Sequence, residues 1–568
     1  MKKSSVKFII LKVILSIIAV FLLFWFSLPA LNVRSHEFWS FVMTSIIICV
    51  VINAFSSVLA LLKGLDRFNK SKTYIEGETK EKFSIKKFGK PFVVTAMIFV
   101  VLVACSFVFN IIGSEFFNAT RYRDLITIQN GDFTQDVAEL KMDQIPVVDK
   151  ETAQNLGKRK LGEMSDFVSQ FEIADNYTQI NYKDQPYRVT PLSYGDPIKW
   201  LNNQKDGIPA YIRVNMTTQK TETVRLEKGI MYSESEYFMR NINRYLRFAH
   251  PTKIFDSISF EIDESGTPFW VASTVEYKIG FWSGKDINGA VLVNAITGEN
   301  KYYSLEEIPT WVDQVYDSSL IVDQLDLNGK YRNGFWNSVF GQKGVLQTTE
   351  GYNYLAINDD VWLYTGMTSV VSDESNVGFV LVNLRTKESK YYEVPGAKEY
   401  SAMNSAEGAV QEKGYTATFP LLLNVSERPT YFMSLKDDAG LVKMYAFVDV
   451  QAYQVLGTGA SIDVARENYI ANLEKENIKV EQNPDVVQTV DVKGVIKEVS
   501  TAVINGNTMY FFLYDEVDES GQVIKKQETL VVSIVTAANE LPFASVGETF
   551  VATFNSEQTE LKAFEIVK

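Results

Sequence analysis

Three long apolar runs dominate the first 113 residues of the 568-residue chain. They cover residues 8–31, 38–62 and 91–112, with lengths of 24, 25 and 22 residues. The first run contains one charged residue, Lys12, and the other two contain none. Because about 20 apolar residues suffice to cross a bilayer as a helix, the pattern predicts three N-terminal transmembrane helices. We therefore expect residues 1–113 to form a membrane anchor.

The first apolar run has a second interpretation, as a cleaved signal peptide. Its basic start, Met1-Lys2-Lys3, suits that interpretation. However, the run is longer than the roughly 7–15 apolar residues that are typical of a signal peptide. Cleavage after Ala30 would also place Leu28 at a position that prefers a small residue. We therefore predict a retained anchor.

The positions of Lys and Arg predict the orientation of this anchor. Three lysines, Lys2, Lys3 and Lys7, precede the first apolar run, and nine Lys/Arg lie in the loop 63–90. The link between the first two runs contains only Arg34. Short loops rich in Lys and Arg stay in the cytoplasm. The N-terminus and loop 63–90 are therefore predicted to be cytoplasmic, and residues 114–568 extracellular. The basic loop has an alternative role in binding anionic lipid or nucleic acid, but we favour the topology signal.

The net charge divides the chain at the same place. Residues 1–113 contain 14 Lys/Arg and five Asp/Glu, a net charge of +9, whereas the whole chain has a net charge of −13. The remaining 455 residues therefore carry a net charge of −22. With 46% hydrophobic and 22% charged residues, the composition excludes a disordered or collagen-like chain.

An internal repeat organises the acidic part of the chain. Residues 289–303 and 378–392 align at an offset of 89, with ten of fifteen positions identical. Weaker copies occupy residues 211–222 and 441–449. Each strong copy has an apolar strand, a turn with Asn and Thr, and a return through Lys-Tyr-Tyr. This alternation is typical of a half-buried β-hairpin.

Neighbouring segments extend the hairpin into a larger unit. Similar strands are predicted ahead of three copies, at residues 186–189, 268–271 and 429–432. Helices are predicted at residues 232–248, 305–325 and 404–413. The unit is therefore a helix followed by an antiparallel meander, repeated three or four times over residues 171–470. This predicts an α+β body, joined to the anchor by a juxtamembrane connector at residues 114–170.

Parts of these repeats resemble PepSY-type modules. The resemblance is carried by Gly414-Tyr415, Pro429-Thr430-Tyr431, residues 442–446 and residues 291–299. PepSY modules occur in bacterial envelope proteins and protease propeptides, and some are described as inhibitors or regulators of peptidases. Through residues 121–126 and 145–150, the whole chain is similar to a family of large three-span membrane proteins of Firmicutes. The resemblance implies an envelope location and carries no catalytic residues.

The last part of the chain has a different pattern. Residues 471–488 are polar and are predicted to be a linker. Apolar strands then flank a turn at Asn505-Gly506, which is a strong hairpin signal. With a further strand at residues 546–554, residues 489–568 are predicted to form a small OB-like β-barrel. This barrel lacks the basic, aromatic stripe that single-stranded nucleic acid prefers, so no nucleic-acid binding is expected.

Residues able to support catalysis or bind a metal are scarce. Cys49 and Cys105 lie inside predicted spans, and the two histidines are His36 and His250. Zinc binding or His-dependent catalysis in the body would depend on His250 alone. Because His250 follows a predicted helix, it is better suited to a helix C-terminus. We predict no catalytic, cofactor-binding or metal site, and the cysteine-free body fits a Gram-positive bacterium.

Three short motifs fall short of known sites. Residues 280–286 have the wrong spacing for a phosphate-binding loop, and Gly457-Thr458-Gly459 lacks the third glycine of a dinucleotide site. Residues 263–266 suit a hairpin turn better than a calcium loop. Catalysis by carboxylates alone stays open.

These features predict a noncatalytic, membrane-anchored protein of the cell envelope, acting as a scaffold, sensor or surface receptor. The expected partners are the lipid bilayer and an envelope protein or cell-wall polymer, and a homo-oligomer is left open. One alternative is an envelope hydrolase that uses acidic residues. Another is an accessory subunit of a transport complex, although spans without ionisable residues at their centres give that little support.

Overall fold

A computed structural model describes residues 3–52, 90–139, 144–370, 375–478, 490–504, 507–518, 521–534, 540–554 and 561–567. The chain divides into two compact units, Met1–Lys479 and Val480–Lys568, and each is described by itself. The fold is mixed α+β, as predicted, with several antiparallel sheets and an apolar helix at the N-terminus.

Four helices lie near the start of the first unit. They are α1 (Lys3–Ser27), α2 (His36–Ile52), α3 (Lys90–Ile112) and α4 (Glu115–Arg123). In α1, Ile10–Ser27 has the length and composition of a membrane anchor or a signal sequence. Among the described residues, Met97–Ile112 passes the same test only together with α4, from which it bends by 51°. The end of the second predicted span and almost all of loop 63–90 lie outside the described residues.

In the described rest of the first unit, helices alternate with four sheets, which are antiparallel except where β1 pairs. The chain first forms β1 (Gln129–Asn130), α5 (Phe133–Asp136) and α6 (Lys150–Gly162). Sheet 1 then consists of β2 (Phe171–Ile173), β3 (Thr178–Asn181), β4 (Pro186–Tyr194), β5 (Ile208–Asn215) and β6 (Thr221–Ile230), with α7 (Pro197–Asn203) between β4 and β5. Sheet 2 follows, with a 3-10 turn (Phe238–Arg240), α8 (Ile242–Ala249), β7 (Phe255–Ile262), β8 (Pro268–Ile279), β9 (Ser283–Asn294) and β10 (Asn300–Ser304). Strand β1 belongs to sheet 3, where it pairs in parallel with β15.

Sheet 3 begins after a 3-10 turn at Leu305–Glu307. Its elements are α9 (Ser318–Lys330), a π-helical turn (Asn337–Gly341), β11 (Leu346–Thr348), β12 (Asn353–Ile357), β13 (Asp360–Ser369), β14 (Ser375–Asn383), β15 (Ser389–Tyr392) and β16 (Gly396–Ala397). Helix α10 (Glu399–Ala409) and a 3-10 turn (Gln411–Lys413) precede sheet 4. The sheet consists of β17 (Thr416–Ala417), β18 (Leu421–Val425), β19 (Arg428–Lys436), β20 (Val442–Asp449) and β21 (Leu456–Gly459), and α11 (Ile462–Lys475) follows it.

Each of these four sheets contains the same four-strand meander, formed by β3–β6, β7–β10, β12–β15 and β18–β21. In each meander an Asn or Asp side chain closes the turn after the third strand, by accepting two backbone N–H groups that follow it. These residues are Asn215, Asn294, Asn383 and Asp449. Both strong sequence copies are hairpins, β9–β10 and β14–β15, which confirms the hairpin prediction. The strand order does not identify the units as PepSY modules.

A glycine and a tyrosine fix the matched position of both strong copies. The Tyr302 hydroxyl donates to the carbonyl of Asn288 at 2.8 Å, and its ring lies against Gly289. In the second copy, the Tyr391 hydroxyl donates to Val377 at 3.1 Å and its ring lies against Gly378. A side chain at either glycine would occupy the space of the tyrosine ring. Glycine has no side chain to pack at this strand position, and the tyrosine ring fills the space instead.

The predicted helices are displaced because capping residues and a proline set their ends. The helix predicted at 232–248 starts only at Ile242, where the Asn241 side chain accepts the N–H of Arg244. The helix predicted at 305–325 is interrupted around Pro309 and restarts after Asp317, which caps α9. The helix predicted at 404–413 starts earlier, as α10 at Glu399, and ends at Ala409.

Sheets 2 and 3 share one apolar core with α9. Its buried members include Val271, Leu292, Ile321, Val361 and Val380. At sheet 4, α11 instead approaches the sheet through a stretch of small residues. A side chain at Gly457 or Gly459 would meet the backbone of α11, so the Gly-Thr-Gly motif permits helix packing.

The second unit is an open antiparallel sheet in the order β24-β23-β22-β25-β26. Its strands are β22 (Val490–Ile504), β23 (Asn507–Val517), β24 (Val523–Ser533), β25 (Thr549–Phe554) and β26 (Leu561–Val567), with a 3-10 turn at Leu541–Phe543. The OB-like β-barrel predicted for residues 489–568 is not closed, since closure requires the edge strands to pair and β24 and β26 do not pair within the described residues. The first seven residues of β24 are all exposed, so this part of the strand does not contribute to the core.

The predicted linker is wrong at its start. Because α11 continues to Lys475, residues 471–475 are helical. Most of the remaining linker, residues 479–488, lies outside the described residues, as does the turn Asn505-Gly506. Strands β22 and β23 flank that turn with Ile504 opposite Asn507, in the antiparallel pairing that the hairpin signal predicts.

Candidate membrane-proximal interface

The carboxyl ends of α1 and α3 both contact the body, which we define as the described residues 114–478. We call this contact surface the collar. On the helix side it consists of residues 24–36 and 109–113, and on the body side of residues 244–253 and 278–283. The collar holds the apolar helices to the repeated sheets.

Arg247 of α8 holds the end of α1. Its side chain is 6% exposed, and it donates from Nε to the carbonyl oxygen of Leu28 at 2.8 Å. A second nitrogen donates to the carbonyl of Lys253 at 2.6 Å. Burial lowers the pKa of Arg247, but the guanidinium stays charged because arginine keeps its proton throughout the range of pH in which proteins fold. The next turn is held by the Leu31 N–H, which donates to Pro251 at 2.7 Å.

Aromatic rings complete the α1 side of the collar. Phe248 packs edge-on against Phe24 and Trp25, with ring centroids 5.7 and 5.9 Å apart. The Arg244 guanidinium lies 4.4 Å above the Trp25 ring, a cation–π contact. Rings with a polar or charged neighbour suit the boundary between hydrocarbon and water.

The tip of the β8–β9 hairpin holds the end of α3. Trp282 donates from Nε1 to the Asn110 side chain at 3.0 Å, and Phe281 stacks on Phe109 with centroids 4.7 Å apart. The ring of His36 lies 4.7 Å from that of Trp282, so the tip also contacts the start of α2. The motif at 280–286, which fails as a phosphate-binding loop, is therefore a docking hairpin.

A buried aspartate links the collar to sheets 2 and 3. Asp286 of β9 pairs with Lys278 at 2.5 Å and with Lys387 of sheet 3 at 2.6 Å. Burial alone would raise the pKa of Asp286, but the two ammonium groups lower it below the ordinary value. Lys387 also donates to the carbonyl of Leu125, just after α4, at 2.7 Å. A displacement of the hairpin tip would therefore disturb both sheets and the connector.

The remaining residues singled out in the sequence have structural roles. His250 is the C-cap residue of α8, as predicted, and its Nε2 lies 2.8 Å from the Asn300 side chain. The Asp263 carboxylate accepts the N–H groups of Ser265 and Thr267, which confirms a hairpin turn between β7 and β8. Cys49 and Cys105 do not form a disulfide bond with each other. Within the described ranges no group of His, Cys, Asp and Glu is arranged to hold a metal ion.

A buried carboxyl pair lies where sheets 1 and 2 meet. Glu261 of β7 accepts the Ser259 hydroxyl and the Asp313 N–H, both at 2.8 Å, and Asp313 accepts the N–H of Asn181 at 2.7 Å. Their exposed fractions are 0% and 1%. Burial raises the pKa of Glu261 to about 7, and burial together with Glu261 raises the pKa of Asp313 well above its ordinary value. At neutral pH this pair retains a proton, which suits a structural contact out of reach of substrate.

An open cavity of about 360 Å³ lies beside the α1 side of the collar. Its walls include Glu234, Glu236, Tyr237 and Arg244, and Arg244 is the residue that covers Trp25. Glu236 accepts the Tyr194 hydroxyl at 2.8 Å and a second hydrogen bond, from the Trp200 indole, at 2.7 Å. Burial raises the pKa of Glu236 above its ordinary value. The cavity offers hydrogen-bond acceptors, one cation and an exposed tyrosine to a ligand.

The sequence reasoning missed Arg247, Trp282 and the Glu234–Glu236 cavity. A signal was present for Trp282, since a Phe-Trp pair between two glycines at a hairpin tip exposes apolar rings without a reason in the body itself. No signal in the sequence distinguished Arg247 from other arginines, because the acceptor that links it to α1, the carbonyl of Leu28, lies 219 residues away.

Comparisons with known proteins assign no class to this fold. No protein-family model and no curated protein matches the chain. Among solved structures, an α-L-arabinofuranosidase from Lactobacillus brevis aligns at 9% identity and a TM-score of 0.17, covering 66% of this chain and 93% of that one. An exo-β-1,3-galactanase from Phanerochaete chrysosporium aligns at 8% identity and a TM-score of 0.18, covering 70% and 81%. Both scores are too low to support an argument about function.

Proposed function

We propose that this chain is a membrane-anchored, noncatalytic protein of a bacterial cell envelope, whose extracellular modules bind or regulate an envelope partner. The observation that supports this best is the collar. The carboxyl ends of α1 and α3 meet the same body through Arg247 and Trp282. Both helices therefore run in the same direction relative to the body, as expected for the first and third of three spans.

The charge pattern supports the orientation within this proposal. Lys3 and Lys7 lie at the end of α1 far from the collar, and Lys90 lies at the corresponding end of α3. Lys-rich ends stay on the cytoplasmic side of a membrane. The body then lies outside the cell, where it faces envelope proteins and cell-wall polymers.

The open cavity is the best candidate for the partner site. Its walls place the carboxyl groups of Asp196 and Glu234 beside the ring of Tyr237, whose exposed fraction is 41%. Carboxylates and an aromatic ring suit a basic side chain or an amine of the partner. Because the cavity lies next to Trp25 through Arg244, an occupant would contact the residue that packs on the end of α1.

The alternative of an acidic hydrolase needs carboxyl groups that a substrate can reach. The pair Glu261 and Asp313 is buried, so it is closed to substrate. The open cavity has Asp196 and Glu234 in its walls, so it is a place where a hydrolase could act. A partner site and an active site at this position make different predictions, which can be separated by one series of variants.

The test is photocrosslinking in living cells from a photoreactive amino acid that replaces Tyr237. The control places the same amino acid at Tyr453, an exposed position away from the cavity. We expect one discrete adduct from position 237 that is absent from position 453, and its loss when Arg244 is replaced by Glu. Glu234→Gln, at an exposed carboxyl of the cavity, should weaken the adduct. Equal adducts at both positions, or a hydrolytic activity that Glu234→Gln abolishes, would contradict the proposal.

A further inference from the structure

A second aromatic surface lies beside α3, outside the collar. We call it the aromatic ridge, and it consists of Phe116, Phe117, Trp336, Val339 and Phe340. The exposed fractions of Trp336 and Phe340 are 62% and 77%, and that of Phe117 is 64%. Large rings exposed together to this extent mark a surface that is covered in the working protein.

The ridge is an ordered structure whose rings are held in contact. Trp336 and Phe340 stack across the π-helical turn, with centroids 5.8 Å apart and planes 13° from parallel. Phe116 packs edge-on against Phe335 and Trp336, at 5.1 and 5.7 Å. The turn is closed by the side chain of Asn337, which donates to the carbonyl of Lys343 at 3.0 Å. Exposure here is therefore imposed by the local fold.

The ridge is also continuous with the end of α3. Helix α3 ends at Ile112, and α4 begins at Glu115, one residue before the first ring of the ridge. Glu115 accepts the hydroxyl of Tyr331 and, at 2.9 Å, the ammonium of Lys330, which holds α4 to the end of α9. The rings of the ridge therefore lie at the level where an α3 that spans the membrane leaves the hydrocarbon.

The positive charges near the ridge are complementary to the negative charge of a membrane surface. Residues 330–343 contain Lys330, Arg332 and Lys343 and no acidic residue, although the body as a whole is acidic. Lys330 pairs with Glu115, so the exposed Arg332 and Lys343 carry the positive charge that faces solvent beside the rings. Exposed cations next to inserted rings attract anionic headgroups. Aromatic rings prefer the headgroup level of a bilayer.

A similar relation holds on the α1 side of the body. Phe238 is 63% exposed, and its carbonyl oxygen accepts the Arg244 side chain at 2.9 Å, while Arg244 covers Trp25. Exposed rings thus lie beside the ends of both α1 and α3, on the face from which the helices leave the body.

We infer that the aromatic ridge inserts into the headgroup region of the bilayer that α3 crosses, and so holds the body down on the membrane surface. This inference rests on the membrane anchoring in the proposed function. It adds a second attachment, made by side chains of the body itself, which fixes the angle between the body and the membrane.

The test uses the full chain in liposomes that contain anionic lipid, with Cys49→Ser and Cys105→Ser as background. A polarity-sensitive fluorophore is attached at Phe340→Cys, and the control carries it at Tyr400→Cys, an exposed aromatic position on α10. At position 340 we expect blue-shifted emission, several-fold stronger quenching by lipid-bound nitroxides than at position 400, and weaker quenching by aqueous iodide.

Three other results would decide against the inference or its premise. Equal access of iodide to positions 340 and 400, without quenching by lipid nitroxides, overturns the ridge. Protection from both quenchers, together with crosslinking between two copies through position 340, assigns the ridge to a second copy and also overturns it. If the protein does not float with the liposomes at all, the proposed membrane anchoring fails, whatever the ridge does.

Discussion

The carboxyl pair of Glu261 and Asp313 makes stability depend on pH in a direction that can be tested. Glu261 has no exposed surface, and its pKa is raised by burial from 4.5 to about 7. A carboxyl whose pKa is higher in the folded state binds its proton more tightly there than when unfolded. Its stabilising contribution is therefore complete below about pH 4 and is lost as the pH rises through about 7.

The size of this effect follows from the pKa of Glu261. A change from 4.5 to about 7 corresponds to about 3 kcal/mol of unfolding free energy between the two ends of that range. About 1 kcal/mol shifts the melting temperature by about 2–4 °C in a unit of 150–250 residues, and by less in a larger unit. The first unit, which ends at Lys479, should therefore melt a few degrees lower at pH 8 than at pH 5 because of this residue.

The assay is thermal unfolding in detergent micelles, followed by tryptophan fluorescence at pH 5 and pH 8. Glu261→Gln removes the titrating group and keeps an oxygen for the N–H of Asp313. Its melting temperature should differ less between the two pH values than that of the unaltered protein. Glu306→Gln, at an exposed position, is the matched control and should retain the full difference. If Glu261→Gln also retains it, the pair does not titrate as argued.

Two further predictions concern the repeats and the collar. Gly289→Ala places a methyl group against the carbonyl of Tyr303 and should lower stability by about 1–3 kcal/mol in thermal unfolding. Gly408 is a helical position with open space around it, so Gly408→Ala should be neutral or raise stability by up to about 1 kcal/mol. Equal stabilities of the two variants would refute the first prediction. Asn110→Ala removes the acceptor of the Trp282 indole and should cost about 1 kcal/mol and increase acrylamide quenching, while unchanged quenching would show that α3 is not held there.

Local pattern was sufficient for the repeated hairpins. Alternating residues in 289–303 and 378–392 specify a strand, a turn and a return strand, and β9–β10 and β14–β15 form as predicted. Helix ends were harder to predict, because Asn241 and Asp317 outweigh the apolar periodicity that precedes them. A cap provides a local hydrogen bond that a moving average of hydrophobicity does not represent.

The collar and the open sheet depend on distant contacts that the sequence does not reveal. Arg247 meets Leu28 across 219 residues, and Trp282 meets Asn110 across 172. Strand content in the second unit was recognised, but closure into a barrel depends on which edges pair, and this is a property of the whole sheet. Candidate chemistry was correctly placed only where it was local, as for His250 at the end of α8.

The central claim is that the body lies outside the cell, held at the ends of α1 and α3. The most direct test adds a membrane-impermeant thiol reagent to intact cells that carry Asp438→Cys, an exposed residue in the turn between β19 and β20. The native cysteines are replaced by serine, and Ser71→Cys in loop 63–90 is the control for the opposite side. The account predicts that position 438 is labelled in intact cells and position 71 only after lysis. Labelling of position 71 in intact cells, with position 438 protected until lysis, would contradict it.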